Sequence, residues 1–454
     1  MCRLTTSVTS NTSPNQKPRL SSTTSRHIQE HRTKDDVDEE WIGQLDIVAF
    51  AADIRALGKT LENQQGEADV RHLNKLLMWI NSVGIIGFLT MGFCVNPVSI
   101  VCLSTFVFCR WTMVAHHTCH GGYDKCLGGR WHRFRFALGS LWRRWCDWFD
   151  WMMPEAWNIE HNNLHHYHLS EPSDPDVVEL NNSELRSMQV PLFVKYMVVA
   201  LVSVTWKWLY YAPNTYKELK LAQLRKQGRD LPPGVDPKSA VTFFTIARGK
   251  NPFFSVWELF SAVMGPYLII HFFLTPLPYL LLEYAVFGAP TGSYYWNAVK
   301  NLFWAELLTN LHATFAVLPN HAGDDMYRFQ HPCRPFSGSF YVRQVIASVD
   351  FAYGNDLVDT LHGFLNYQIE HHLWPNLSML SYQKAAPQVR AICKKHGVPY
   401  IQESILKRAI QTANIMVGAS SMRTFPQEYE QLFLKRDAEV ELEKKHLNQA
   451  NKRN

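Results

Sequence analysis

The sequence predicts an all-α protein that crosses a membrane four times, as two helical hairpins carrying a histidine-rich cap on the cytosolic side. Three observations predict it. Two pairs of apolar stretches each come close to the ~20 residues an α-helix needs to cross the hydrocarbon core. The connector inside each pair is uncharged, whereas the flanking segments carry the charge. Nine of the 20 histidines fall in three short clusters, His116, His117 and His120; His161, His165, His166 and His168; and His371 and His372.

Composition narrows the class further. Of 454 residues 46% are hydrophobic, and Lys+Arg 45 nearly balances Asp+Glu 40. No dominant basic patch of the kind phosphate binding needs is present, so nucleic acid is not indicated. The nine cysteines are scattered with no C-x-x-C pair. They read as reduced thiols rather than a disulfide framework.

The chain reads as three parts: an N-terminal segment 1–70 that is disordered or a targeting sequence, a membrane domain 71–400, and a charged, helical tail 401–454. Residues 1–28 hold Ser or Thr at twelve positions, with Arg3, Lys17, Arg19 and Arg26 and no acid, a composition that cannot bury enough apolar surface to fold. Leu76 to Ala115, interrupted at Asn96-Pro97, reads as the first hairpin. Basic Arg71, Lys75 and Arg110 near its outer ends place both ends in the cytosol. Trp142, Trp145, Trp148 and Trp151 recur every third residue of LWRRWCDWFDWMMPEAW, with Arg143, Arg144, Asp147 and Asp150 opposite. That pattern predicts an interfacial helix ended by Pro154. The stretch 191–211 is apolar enough to span, but a fifth crossing would put His371 and His372 on the wrong side. With Lys195, Lys207 and its aromatic residues it is expected to lie at headgroup level. Residues 262–287 and 294–318, joined by GAPTGS, read as the second hairpin, whose prolines a packed membrane helix tolerates.

The histidine spacing carries chemistry. His116 and His120 are four apart, as are His161 and His165, so on a helix each pair shares one face and can hold a metal ion. His166 points about 100° away and could serve a second ion. In NYQIEHHLWP, Gln368 and His372 are four apart with His371 adjacent. The clusters offer more imidazole than one ion needs and no thiolate motif. Iron tolerates such a shell and keeps positions open for dioxygen, which favours a dinuclear iron site; spacing alone leaves zinc and copper open.

These residues resemble the membrane fatty acid desaturase family. HHTCH (116–120) fits its H-x-x-x-H box, EHNNLHHYH (160–168) its H-x-x-x-H-H box and QIEHH (368–372) its Q-x-x-H-H box, with DPD at 174–176 after the second. The resemblance runs from about Leu76 to Tyr400 and is nearest to the front-end type. It implies two iron ions held by His116, His120, His161, His165, His166, His371 and His372, with an eighth ligand from the end of the fourth span. His321 in PNHAGDD fits that place, Asn320 stands beside it, and His312 lies deeper. Gln368 replaces the commoner histidine and is expected to ligate weakly or through water. His117 and His168 match no box position and read as supporting groups.

The implied reaction desaturates a long acyl chain, carried on lipid or CoA, with dioxygen and two electrons. Front-end relatives often carry an H-P-G-G haem motif, which these 454 residues lack. Electrons are then expected from a separate carrier, cytochrome b5 with its reductase at the endoplasmic reticulum or ferredoxin in a plastid membrane. Lys125, Arg130, Arg133, Arg135, Arg143 and Arg144 are candidate docking points. The same scaffold also serves hydroxylases, epoxygenases and acetylenases, and a non-enzymatic metal-binding or transport protein is the reading from another class.

Overall fold

The computed structural model describes residues 39–231 and 233–451; the Ser/Thr-rich stretch 1–28 lies outside the described residues. The chain divides into a small unit ending at Gln44, whose described part includes the helix Glu40–Gln44, and a large unit from Leu45 onward. The large unit is mostly helical, with a two-residue parallel pairing of Tyr327–Arg328 and Arg423–Thr424.

It opens with Ile47–Gln64. Ile47, Phe50, Ile54, Leu57 and Leu61 recur every three or four residues and are buried, the stripe of a helix lying on a core. Asp46 caps it, its carboxylate accepting from the N–H groups of Val48 and Ala49. Gly58 lies against the Trp374 indole, where a Cβ would sit 2.2 Å from Nε1. Packed structure therefore begins well inside the 1–70 segment, because this apolar period binds the helix to the core despite the charged residues around it.

Among the described residues, three helices are long and apolar enough to cross a membrane: Glu67–Thr90, Pro97–Cys119 and Val256–Phe287. The first two form the first hairpin. Asn96 accepts the Ser99 N–H at 2.8 Å and Pro97 stands in the first turn, a cap-plus-proline start. Gly84 lets the pair approach closely, since a Cβ would meet the Phe106 ring at 2.4 Å. In Val256–Phe287 the turns Phe260–Met264 and Ile269–Leu274 widen to π geometry around Pro266, a local adjustment that lets a membrane helix carry prolines.

Ser293–Val317 has 25 residues, about 37 Å at 1.5 Å per residue. It is long enough to cross, yet it is not among the helices apolar enough to do so, its sequence including Asn297, Lys300, Asn301, Glu306 and Asn310. Several of these polar groups face neighbouring helices. Asn301 donates to the carbonyls of Met91 and Cys94 at 2.7 and 2.8 Å, and Glu306 accepts from Tyr267. Around them Met91, Leu103, Tyr279, Ala298, Leu302 and Ala305 form a shared buried core. Glu283 accepts from Thr291 Oγ1 and from the N–H groups of Gly292 and Tyr294, so it satisfies donors at the start of the next helix.

Two expectations need correcting. The indole-rich helix ends at Trp148, not Pro154, because Phe149 turns left-handed at φ 56°. Trp142 is exposed, but Trp148, Trp151, Arg144, Asp147 and Asp150 are all buried. Their charges can be buried because each is paired or hydrogen-bonded: Asp147 accepts from Arg130 and Arg143 at 2.9 Å, Asp150 from Lys207, and Arg144 donates to backbone carbonyls of Trp151, Ala262 and Val263. Likewise Lys195 and Lys207 do not reach for headgroups. Lys195 donates to the Arg186 carbonyl at 2.6 Å, and Lys207 forms a wholly buried pair with Asp150 at 2.5 Å. Leu192–Ser203 presents Phe193, Met197 and Leu201 outward, then the chain bends by 82° into Lys207–Lys226; counted as one broken span, this pair would be a fourth apolar crossing.

The remaining helices include Gly338–Ile346, Gln368–Leu373, which carries His371 and His372, Met379–His396, Ile405–Val417 and Gln427–Asn451. Arg343 holds two of them together: its guanidinium pairs with Glu171 at 2.7 Å and with Glu430 at 3.1 Å, all three side chains nearly unexposed.

Candidate metal centre

The histidine clusters arrive on separate elements. Pro97–Cys119 passes through a π-widened stretch, Cys109–Ala115, into a regular turn bearing His116 and His117, with His120 next. The second cluster follows Pro154–Trp157, on the π stretch Asn158–Leu164 and the 3-10 turn His165–Tyr167. His371 and His372 lie on Gln368–Leu373, and His321 ends the 3-10 turn that follows Val317.

The clusters converge. One ring nitrogen each of His116, His120, His161 and His371 lie within 4.8 Å of one another, and His165, His321 and His372 form a second such group. His166 lies between them, its ring 4.4 Å from that of His120 and 4.2 Å from that of His372, with Nε2 3.3 Å from His161 Nε2. His161 and His165, expected to hold one ion together, remain stacked at 5.2 Å but join different groups; the helix changes from π to 3-10 geometry between them. With Asp176 of DPD the two also form a third group of their own, so the expected pairing is kept alongside the other two. Adjacent His371 and His372 have ring planes 86° apart and so serve one group each.

Second contacts fix the rings. His165 Nδ1 lies 2.9 Å from Asp174 Oδ1, His372 Nδ1 3.0 Å from Gln344 Oε1, His321 Nδ1 2.9 Å from the Ala347 carbonyl, and His371 Nδ1 3.3 Å from the Tyr382 hydroxyl. With Nδ1 donating outward, Nε2 is left with its lone pair facing the centre, the usual arrangement around a metal; on His321 that lone pair meets the Gln368 amide, which a bound ion would displace. The buried Nε2 atoms of His120 and His372 have no hydrogen-bond partner among the described residues, an unfavourable state that a bound ion would relieve. Burial, reinforced by neighbouring imidazoles, holds His120, His161, His166, His371 and His372 well below the usual histidine range, and His321 down to about 3. Neutral imidazole is the ligating form. His165 differs: burial opposes its charged form, but the Asp174 carboxylate outweighs this and raises it. An all-imidazole set with oriented rings fits iron as well as the donor chemistry requires.

Gln368 donates at 2.8 Å toward His321 Nε2, and Asn320 donates to Gln368 Oε1 at 3.1 Å, so these two form a chain leading to the second group. His117 is buried beside His371 but bonds the Met113 carbonyl at 2.7 Å. His168 bonds Glu171 at 2.9 Å, and Glu171 bonds Arg343. His312 stacks on Phe108 and bonds the Leu361 carbonyl; it joins neither group. Gln344, Tyr382 and the Ala347 carbonyl gave no signal in the sequence, whereas Asp174 stood in the visible DPD motif.

A cavity of about 230 Å³ meets His116, His161, His165, His321 and Gln368, and its remaining wall is largely apolar, with Trp111, Trp157 and Trp206 prominent. A wider opening of about 690 Å³ reaches His120, His166 and His372, with exposed Phe134 and Phe336 in its lining. Most of the basic residues expected near a docking face are engaged. Lys125 pairs with Glu62, Arg130 and Arg143 with Asp147, and Arg133 with Asp124, while Arg144 is buried.

Membrane-length helices ending at buried groups of imidazoles, beside an apolar cavity, define a class: a helical membrane protein whose histidine groups are able to hold metal. The model of the fatty acid desaturase family matches residues 93–404, and the chain belongs to that family. It is 34% identical over 118 residues to the acyl-lipid (9-3)-desaturase of Physcomitrium patens, covering 25% of this chain and 21% of that protein. It is 31% identical over 102 residues to delta(8)-fatty-acid desaturase 1 of Arabidopsis thaliana, covering 22% and 21%. Over 101 residues it is 29% identical to delta(5) fatty acid desaturase A of Dictyostelium discoideum, covering 21% and 22%. The aligned stretches thus span about a fifth of each of these relatives. No solved structure matches the chain.

Proposed function

We propose that this protein is a membrane desaturase that removes two hydrogens from a long acyl chain, carried on lipid or CoA. The observation that carries the reading is the cavity, in which a mostly apolar wall closes on His116, His161, His165 and His321; such a space suits hydrocarbon held against a metal centre. We assign one iron to His116, His120, His161 and His371 and the other to His165, His321 and His372, with His166 between them and Gln368 at the edge. Bound iron would supply dioxygen activation: the chain loses two hydrogens, and dioxygen with two protons and two external electrons leaves as two waters.

The chain's own residues supply the rest. Asp174, Gln344 and the Ala347 carbonyl hold imidazoles in one orientation, and Asn320 acts on His321 through Gln368. Trp111, Trp157 and Trp206 exclude water from the acyl chain. Ser293–Val317 is proposed as the fourth crossing. His116 and His321, at the C-terminal ends of two long helices, both line the cavity, which supports a topology in which the two helices end on the same side, as two hairpins require. The opening toward His120, His166 and His372 suits approach of a separate electron carrier. We propose cytochrome b5 with its reductase at the endoplasmic reticulum; ferredoxin in a plastid membrane is the alternative.

Expression in yeast with supplied fatty acids, double-bond location by mass spectrometry and metal analysis of the purified protein test the proposal. A new double bond in the acyl pool with close to two irons per chain is expected. A hydroxylated or epoxidised product would replace desaturation by the related chemistry, and zinc without iron would overturn the metal assignment.

A further inference from the structure

The segment after the 82° bend forms one wall of the apolar cavity. Its turn Lys207–Tyr211 is widened to π geometry, and neighbouring residues face two spaces. Trp206, Leu209, Tyr210 and Tyr211 line the cavity beside the histidines; Trp208 and Leu209 line an open groove of about 760 Å³ with Phe272, Phe303 and Trp304. Leu209 is the one residue common to both linings, so its side chain forms part of the wall between them.

This wall is held in place. Asn310 Oδ1 accepts the Lys207 N–H at 3.1 Å and the Asn310 carbonyl accepts the Trp206 indole N–H at 3.0 Å. Lys207 is also fixed by its buried pair with Asp150. In the groove, the indoles of Trp151 and Trp208 meet edge to face at 4.6 Å, and Lys300 is the only charged lining residue, so the groove suits hydrocarbon rather than a polar head. An acyl chain that passes the histidines and ends against the Lys207–Tyr211 wall would bring its methyl end to Leu209.

We propose that Leu209 sets the longest acyl chain the cavity accepts, and that shortening this side chain joins cavity and groove so that the groove takes the methyl end. The proposal rests on the cavity being the acyl site. One methylene too many in a closed apolar pocket costs roughly 10- to 200-fold in selectivity, so a one-residue partition is enough to impose a limit.

The test compares wild type, Leu209→Ala and Leu209→Phe in yeast fed acyl chains graded by two carbons. Leu209→Ala is expected to shift the ratio of long-chain to best-chain conversion upward by about tenfold or more, and Leu209→Phe to shift it downward. In parallel, fatty acids bearing a diazirine at the methyl end are cross-linked to the purified proteins, which reads the partition without turnover. The longest probe is expected to label Phe303 or Trp304 in Leu209→Ala and only cavity residues in wild type. Unchanged length preference in both variants, or equal groove labelling with and without the leucine, would overturn the proposal. Failure of wild type to desaturate any chain would instead count against the proposed function, while the cross-linking pattern would still decide the role of Leu209. If Leu209→Ala does not fold, Leu209→Phe and the wild-type cross-links carry the same decision.

Discussion

Replacing Asp174 by Asn tests how the second histidine group is oriented. Asp174 uses both carboxylate oxygens: Oδ1 accepts from His165 Nδ1 at 2.9 Å and from the Asp176 N–H at 2.9 Å, and Oδ2 accepts the Ser170 N–H at 2.7 Å. Asparagine keeps one acceptor and turns the other into a donor. If its oxygen faces Ser170, its NH₂ meets His165 Nδ1, which then has to accept; the proton moves to Nε2, the atom that should ligate. If its oxygen faces His165, a buried N–H opposes a buried NH₂. Loss of such an orienting partner typically costs 10- to 100-fold in metal affinity, about 1.4–2.7 kcal/mol. Asp174→Asn should therefore weaken one iron of two by that factor while the first stays bound, and His165→Ala should weaken it more. Asp174→Ala also strands the Ser170 and Asp176 N–H groups at about 1–3 kcal/mol each, so it alone should lower the melting temperature markedly. Iron titration of the stripped protein, with thermal melting in detergent, reads both quantities. Wild-type affinity for both irons in a well-folded Asp174→Asn protein would refute the orienting role.

Glu430→Ala leaves the buried Arg343 guanidinium with Glu171 and the His331 carbonyl but without its second carboxylate, and breaking a buried pair costs about 3–5 kcal/mol; a fall in melting temperature with loss of metal is expected, whereas an unchanged melt would show the C-terminal helix to be dispensable. Burial works against the Asp356 carboxylate, but hydrogen bonds from Lys75, Gln383 and His72 outweigh it and bring its pKa to about 2. Its folded value is below the unfolded one of about 3.9, so the stabilisation is complete above that value and is lost as pH falls toward 2. Asp356→Asn should cost up to about 2 kcal/mol at pH 7, less for solvent screening of the half-exposed Lys75, and should flatten the melting curve's pH dependence between 4 and 2. Tags at residue 1, near residue 230 and at residue 454 should report cytosol and a tag in GAPTGS the lumen; a lumenal residue 230 with cytosolic GAPTGS would mean that the bent pair, rather than Ser293–Val317, supplies a crossing.

Local order along the chain determined a good deal of this protein. Asn96-Pro97 marks a helix start wherever it stands, because the amide caps and the ring lacks an N–H, and the length of the apolar runs follows from the thickness of a bilayer. The imidazoles pointed to metal chemistry by number and spacing, since residues four apart on a helix share one face. Long-range pairing decided what spacing could not. His371 and His372 look like one pair in sequence, but adjacent helix positions point about 100° apart, and only the packing of Gln368–Leu373 between the other elements gives each ring its own group. Charge misled for the same reason: Asp150, Arg144 and Lys207 read as surface residues, and burial became possible once distant partners neutralised or hydrogen-bonded them. The Leu209 partition has no sequence signature at all, because it exists only where a bend of 82° brings one leucine between two spaces built by other helices.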